Sequence, residues 1–218
     1  MTNSPAYARI VSTITNSAGD RTNRAIAAWD ERRRRIPGWS TAAHALFFSA
    51  VAEALRPQFK ALVCGVYHGM DLSLLEWAAR DARTTIDLTG VDLFSDGACA
   101  DWDEGQRARG TWEANGFGPP PSMEAAQRNA PTARLVKANS IEFMQSSPQL
   151  FDFIYLDTSH DYETVAREIP AAKRILAPGG VLAGDDYYNP GSGWGVDRAV
   201  CELCPHHVAL WNRIWLAT

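Results

Sequence analysis

The chain has 218 residues, 46% of them apolar and 21% charged, and its 21 Lys+Arg against 25 Asp+Glu give a formal net charge of −4. So much apolar side chain excludes disorder as the dominant state, and the length fits one α/β domain with at most a short helical appendage. A mildly acidic chain lacks the phosphate-neutralising surface of a nucleic-acid binder; its one basic run, Arg32-Arg33-Arg34-Arg35, is short.

The first residues contain no apolar run of the secretory kind, and the most apolar stretch, 42–55, carries His44, Ser49 and Glu53 and is too short to span a bilayer. Cys64, Cys99, Cys201 and Cys204 do not suggest a disulfide framework. The expected setting is the cytoplasm, and the expected partner is a small molecule, with neither nucleic acid nor membrane involved.

Residues 6–56 read as helical, because Tyr7, Ile10, Val11 and Ile14, and then Leu46, Phe47, Ala50, Val51 and Leu55, recur at helix spacing. Pro37-Gly38 divides this region and Pro57 ends it. It is expected to form a lid, a homodimer interface or both. From residue 61 the period changes. Short apolar runs at 61–66, 86–93, 133–136, 151–157 and 181–184 read as strands, the last led in by a turn at Pro178-Gly179-Gly180. Helical patterns at 72–82, 140–145 and 162–176 separate them. Such alternation predicts βαβ units and a mostly parallel sheet with helices on both faces. The runs 207–211 and 213–217 are too close to enclose a crossover helix, so they predict a terminal antiparallel hairpin. Residues 94–131 break the rhythm: they are rich in Gly, Pro, Asp and Arg, with short helices expected at 104–115 and 122–129. A connection that long is usually functional.

In open parallel sheets ligands bind beyond the carboxyl ends of the strands, so the tips hold the candidate chemistry. The first strand ends in Gly65-Val66-Tyr67-His68-Gly69-Met70-Asp71. Its GxxxG spacing lacks the dinucleotide fingerprint and the Lys and Ser/Thr of a phosphate loop, and a plain strand-to-helix turn reads equally well. The second ends in Asp92, followed by Leu93; Asp92 is placed to accept ribose hydroxyls or to cap a turn. The third ends in Asn139-Ser140, where Ser140 can cap the next helix. The fourth ends in Asp157, followed by Thr158-Ser159-His160, and the fifth in Gly184-Asp185-Asp186-Tyr187. Carboxylates clustered as Asp157, Asp185 and Asp186 repel one another unless a cation or protons neutralise them. Hard oxygen ligands suit Mg²⁺. His160, three residues past Asp157, is a candidate proton acceptor. Cys201-Glu202-Leu203-Cys204 with His206 and His207 admits a zinc reading, but has no second pair at ligand spacing.

Taken in order, these tips resemble class I S-adenosylmethionine-dependent methyltransferases, most closely the small-molecule branch of catechol O-methyltransferase-like and macrolide-sugar O-methyltransferase-like enzymes. The resemblance covers about residues 45–218, giving an N-terminal helical region (1–56) and a cofactor-binding domain (57–218) with a Rossmann-like seven-stranded sheet. It implies that Gly65, Tyr67, His68, Gly69 and Asp71 surround the methionine part of S-adenosylmethionine. It further implies that Asp92 with Leu93 meets the ribose, and that Asn139 and Ser140 flank the adenine. Asp157, Asp185 and Asp186 match the Mg²⁺ ligands, and His160 stands where the catechol enzymes carry a Lys base. Position 63 is Val where the family has an acid, which leaves Asp71 to meet the cofactor amino group. Tyr187, Asn189, Trp194 and residues 94–121 are the expected acceptor contacts, with Gly191, Gly193 and Gly195 letting residues 188–195 close over the site. The reaction implied is methyl transfer to a hydroxyl. Its alternatives are a metal-independent N-methyltransferase, a nicotinamide-dependent oxidoreductase, or a ligand-binding protein without activity.

Overall fold

The structure, a computed structural model, describes residues 4–16, 19–97, 99–188 and 193–218. Helix α1 (Pro5–Thr15) opens on Ser4, whose hydroxyl accepts the Tyr7 N–H, with Pro5 at the first helical position. Helices α2 (Asp20–Arg33) and α3 (Ala42–Ala54) follow. The βαβ alternation then runs β1 (Gln58–Cys64), α4 (Met70–Asp81), β2 (Thr85–Asp92), short helices α5 (Glu104–Arg109) and α6 (Met123–Asn129), β3 (Arg134–Lys137), α7 (Ser140–Ser146) and β4 (Phe151–Leu156). It ends with α8 (Tyr162–Arg174), β5 (Leu176–Gly184), α9 (Val196–Leu203), β6 (Val208–Leu210) and β7 (Ile214–Ala217).

The strands form one seven-stranded sheet in the order β3-β2-β1-β4-β5-β7-β6. β1 to β5 pair parallel, and the β6–β7 hairpin joins β5 antiparallel. Period-two alternation sends the side chains to opposite faces. Ala61, Val63, Phe153 and Tyr155 face α1 to α4 and α6, while Leu62, Cys64, Ile154 and Leu156 face α7 to α9. The chain moves outward from β1 to β3 and returns on the other side at β4. That reversal opens a crevice at the carboxyl ends of β1 and β4.

Helix α3 is part of this packing. Phe47 and Phe48 are fully buried, and their rings lie 5.1 to 6.4 Å from those of Phe153 and Tyr155 on β4. Burying such side chains is worth about 1.5–3 kcal/mol each.

Four local expectations change. The helix expected at 104–115 stops at Arg109, because Gly110 at φ 83° turns the chain out of helical geometry. Pro178-Gly179-Gly180 is no turn ahead of a short strand. It lies inside β5, where the register against β4 slips between Phe151 and Phe153 and Gly179 takes φ 80°. α9 was absent from the predicted elements although Val196, Ala199, Val200 and Leu203 carry its apolar stripe. The terminal strands are shorter than expected: Trp211 and Asn212, at φ 54° and 55°, turn the hairpin and set Arg213 at its exit.

Candidate active site

The tips of β1, β2, β4 and β5 open into one cleft of about 860 Å³. Its floor follows from the register. Cys64 pairs with Leu156, and Leu156 with Gly184, so Gly65, Asp157 and Asp185 leave the sheet side by side. A Cβ on Gly65 would lie 1.6 Å from the Asp157 carbonyl oxygen, and one on Gly69 3.0 Å from Ala126. The two glycines are therefore required by backbone packing between neighbouring segments, as well as by φ of 87° and 84°.

Asp92 closes the β1 turn. Its Oδ2 accepts the N–H groups of Val66 (2.7 Å) and Tyr67 (2.9 Å), and its Oδ1 that of Phe94 (2.6 Å). A carboxylate offers about four acceptor positions, so Oδ1 retains acceptor capacity, and Asp92 lines the cleft. Asn139 caps α7 through Oδ1, and Ser140 donates to the buried Glu168, which also binds Thr158. Gly65, Tyr67, Asp71, Asp92, Leu93, Asn139 and Ser140 all line the cleft. Neither His68 nor Gly69 does: His68 is buried beneath the turn and bonds the Pro120 carbonyl at 2.9 Å.

The acidic end is centred on His160. Nδ1 lies 2.7 Å from Asp101 Oδ2, and Nε2 lies 3.0 Å from Asp186 and 3.9 Å from Asp157. Trp194 stacks on the imidazole at 4.0 Å with 20° between the planes. Burial would lower the His160 pKa, but its hydrogen bond to Asp101 and the carboxylates of Asp157 and Asp186 beside Nε2 outweigh it and push the group up to about 12. Asp157 moves up to about 7, because burial and the charges of Asp185, Asp186 and Asp71 all disfavour its anion. Asp157, His160 and Asp186 each offer a ligand atom within 4.8 Å of the others, the one such group among the described residues.

Asp185 is held differently. Its Oδ2 receives His44 Nε2 at 2.9 Å and Arg213 at 2.7 Å. Because the Thr41 N–H donates to His44 Nδ1 at 2.9 Å, the proton of that ring is on Nε2 and points at Asp185. Burial opposes the Asp185 anion, yet His44 and Arg213 win and keep its pKa low. Its Oδ1 is buried without a partner. Asp71, likewise buried, accepts from Ser40 at 2.6 Å, and desolvation raises its pKa.

Of the expected acceptor contacts, Trp194 lines the cleft and Asn189, with Gly191, lies outside the described residues. Tyr187 is not part of the lining; its hydroxyl meets His207 at 2.7 Å and Cys201 at 3.4 Å on the α9 side. Cys201 lies on α9 and is exposed, whereas Cys204, the C-cap of that helix, is buried. The opposite wall joins Asp101 and Trp112, from the 94–121 segment expected to meet the acceptor, with Trp39, Ser40 and Arg213, which no sequence signal singled out; His44, equally unmarked, stands behind Asp185. Tyr67 lies against Trp39 (5.2 Å) and Trp112 (5.3 Å), forming an aromatic rim.

A family model described as a methyltransferase domain matches residues 62–187, whereas no curated protein sequence matches the chain. Among solved structures the fold is similar to that of CalS11, a calicheamicin methyltransferase, with a TM-score of 0.57 and 17% identity over 100% of this chain and 94% of that one. It is also similar to S-adenosylhomocysteine-bound PaMTH1 of Podospora anserina (TM-score 0.54, 15% identity, 99% and 96% covered). A third is an O-methyltransferase of Bacillus cereus in complex with S-adenosylhomocysteine (TM-score 0.54, 12% identity, 94% and 93% covered).

Proposed function

Because the chain belongs to the methyltransferase-domain family, we propose that this S-adenosylmethionine-dependent methyltransferase acts on a hydroxyl of a small molecule with the help of a divalent cation. The observation that carries this reading is the meeting of Asp157, Asp186 and His160 within 4.8 Å beside Asp185.

The donor set fits a hard cation. Burial first, and then the charges of Asp185, Asp186 and Asp71, push the Asp157 pKa up to about 7 against the opposing pull of His160, and Asp185 Oδ1 is buried without a hydrogen-bond partner. Asp157 and Asp186, with Oδ1 of Asp185, would hold Mg²⁺. The cofactor fit is likewise in the lining: Gly65, Tyr67 and Asp71 for the methionine part, Oδ1 of Asp92 for a ribose hydroxyl, and Leu93, Asn139 and Ser140 for the adenine. Asn139 uses Oδ1 for the α7 cap, which leaves its Nδ2 and its backbone for that contact.

When bound, S-adenosylmethionine supplies an electrophilic methyl group and a divalent cation supplies Lewis acidity toward the acceptor oxygen. The chain must then align the acceptor and take its proton. Alignment alone can lower a barrier by about 7–11 kcal/mol in favourable cases. His160 faces three acids, Asp101 at Nδ1 and Asp186 and Asp157 at Nε2. Were Asp157 and Asp186 to hold the cation, Asp101 would remain the carboxylate paired with the imidazole, and Nε2 would be free to accept the hydroxyl proton while Nδ1–H stays on Asp101. Trp194 walls the acceptor side.

The test has two parts. Calorimetry with S-adenosylhomocysteine, with and without Mg²⁺, measures the cofactor site. S-adenosylhomocysteine release is then followed over a panel of a catechol, a flavonoid phenol, a free hexose and a primary amine. Turnover of a hydroxyl acceptor that EDTA abolishes and Mg²⁺ restores supports the reading; methylation of the amine alone, indifferent to EDTA, overturns it.

A further inference from the structure

The 93–122 connection owes its place to three consecutive residues with different tasks. Trp102 is an inward anchor, 7% exposed, packed on Trp112 and Phe117. Asp103 caps α5, accepting the Gln106 N–H at 2.7 Å while Gln106 returns a bond to its backbone. Arg107 fastens the carbonyl of Trp102 at 2.8 Å. Between this anchor and the exposed Ala100, Asp101 turns inward with its side chain 11% exposed. Burying a carboxylate is costly unless partners compensate, and here the side-chain partner is Nδ1 of His160 at 2.7 Å, with the backbone N–H groups of Asp101 and His160 adding to it.

That contact determines what the imidazole can do. A carboxylate only accepts, so Nδ1 carries the hydrogen. The other nitrogen, Nε2, faces Asp186 and Asp157 at the tips of β4 and β5. Rotation of the ring is opposed by Trp194 on its face. The His160 carbonyl accepts the Gly195 N–H at 2.9 Å, so its backbone is tied as well. Without Asp101 the ring would keep its backbone but lose the group that selects its tautomer and direction.

We infer that Asp101 is a positioning residue for methyl transfer: it holds Nδ1–H of His160, aims Nε2 at the acceptor, and makes the 93–122 connection a working part of the reaction. This rests on the reading of His160 as proton acceptor. A misplacement of about 1 Å in such a group can cost about 100-fold in rate. The loss falls on turnover, because Asp101 acts through His160.

The test uses the full chain with S-adenosylhomocysteine and Mg²⁺, labelled with ¹⁵N-histidine, and the His160 signals are identified by their absence in His160→Gln. Wild type shows a hydrogen-bonded Nδ1 proton on His160; Asp101→Ala loses it to solvent exchange, whereas Asp101→Asn, which retains an acceptor oxygen, preserves it. With the hydroxyl acceptor that the panel turns over, Asp101→Ala lowers kcat about 100-fold with KM changed less than about threefold, and Asp101→Asn recovers about tenfold of the loss. An Nδ1 proton unchanged in Asp101→Ala overturns the inference, and so does a loss confined to KM. Full activity of Asp101→Ala beside an inactive His160→Gln refutes the role of Asp101 alone. An active His160→Gln refutes the proton acceptor itself, and the inference with it.

Discussion

The two walls of the cleft are held in place by different physics. One is made of strand tips, where the backbone sets every position: Asp157 N–H bonds the Cys64 carbonyl at 2.8 Å and Asp185 N–H that of Leu156 at 3.1 Å. The sheet therefore forces the acids together, and their mutual repulsion is a standing cost. The other wall is made of residues 37–41 and 93–122, which reach the first through side chains, chiefly Trp39 on Tyr67 and Asp101 on His160. The strand-tip wall crowds charge that a proton or a cation would relieve, whereas the connection wall is docked through side chains and is expected to be the easier of the two to release.

The largest expected effect breaks the first wall. Asp157→Ala should lower turnover by about 10³-fold or more and remove tight binding of Mn²⁺, used as a spectroscopic probe for the cation. In the ligand-free protein the same carboxylate destabilises the fold. Its pKa rises from 3.8 to about 7 on folding, so the folded state binds the proton more tightly, and stability falls as pH rises through that interval. His160, raised from 6.5 to about 12, slopes the same way with pH: its stabilising contribution is complete below 6.5 and is lost as pH rises toward 12. At pH 8 the isosteric Asp157→Asn should thus melt higher than wild type without ligand, by about 1 kcal/mol or roughly 2–4 °C. The advantage should vanish near pH 4. A lower melting temperature at pH 8 would show that the acids are not in conflict.

A smaller effect separates the two walls. Trp102→Ala removes the anchor of the 93–122 connection but leaves the sheet intact. We expect local opening, seen as faster proteolysis between α5 and α6 and S-adenosylhomocysteine affinity weakened about tenfold. Mn²⁺ binding should remain within about twofold of wild type, since no strand tip has moved. Equal losses of both ligands would mean that the walls form one cooperative unit.

This division also explains what could be read in the sequence. The strand-tip wall was legible because period-two apolar runs locate strands, and a parallel sheet brings their last residues together; Asp92, Asp157, Asp185 and Asp186 followed from that alone. Turn geometry was less legible. Gly65 was read for its closeness to a ligand, yet it is fixed by the Asp157 carbonyl. Tyr187 follows two acids at a tip, but Asp186 at φ 54° turns the chain there, and the Tyr187 hydroxyl meets His207 instead. Nothing periodic marks Asp101, because its partner lies 59 residues away and its loop has many acids. His44 was hidden for the opposite reason: it sits in an apolar helix, where a histidine reads as part of the core. Only the packing of α3 against β4 brings it to Asp185.

The smallest effect concerns the rim, and it sharpens the contrast because Trp39 touches both connections. Its ring is 53% exposed, lies 5.2 Å from Tyr67 and 6.0 Å from Trp112, and gains little from burial. Aromatic pairs of this kind are worth about 0.5–1.5 kcal/mol, so Trp39→Ala should speed S-adenosylhomocysteine release roughly fivefold in stopped-flow fluorescence. Trp39→Phe, which keeps a ring over Tyr67, should change it less than about twofold. The melting temperature should hardly move, because residues 37–40 contribute no side chain as large as Trp39 to the buried core. An unchanged release rate in Trp39→Ala would place the exit route elsewhere and show that the rim does not gate the cofactor.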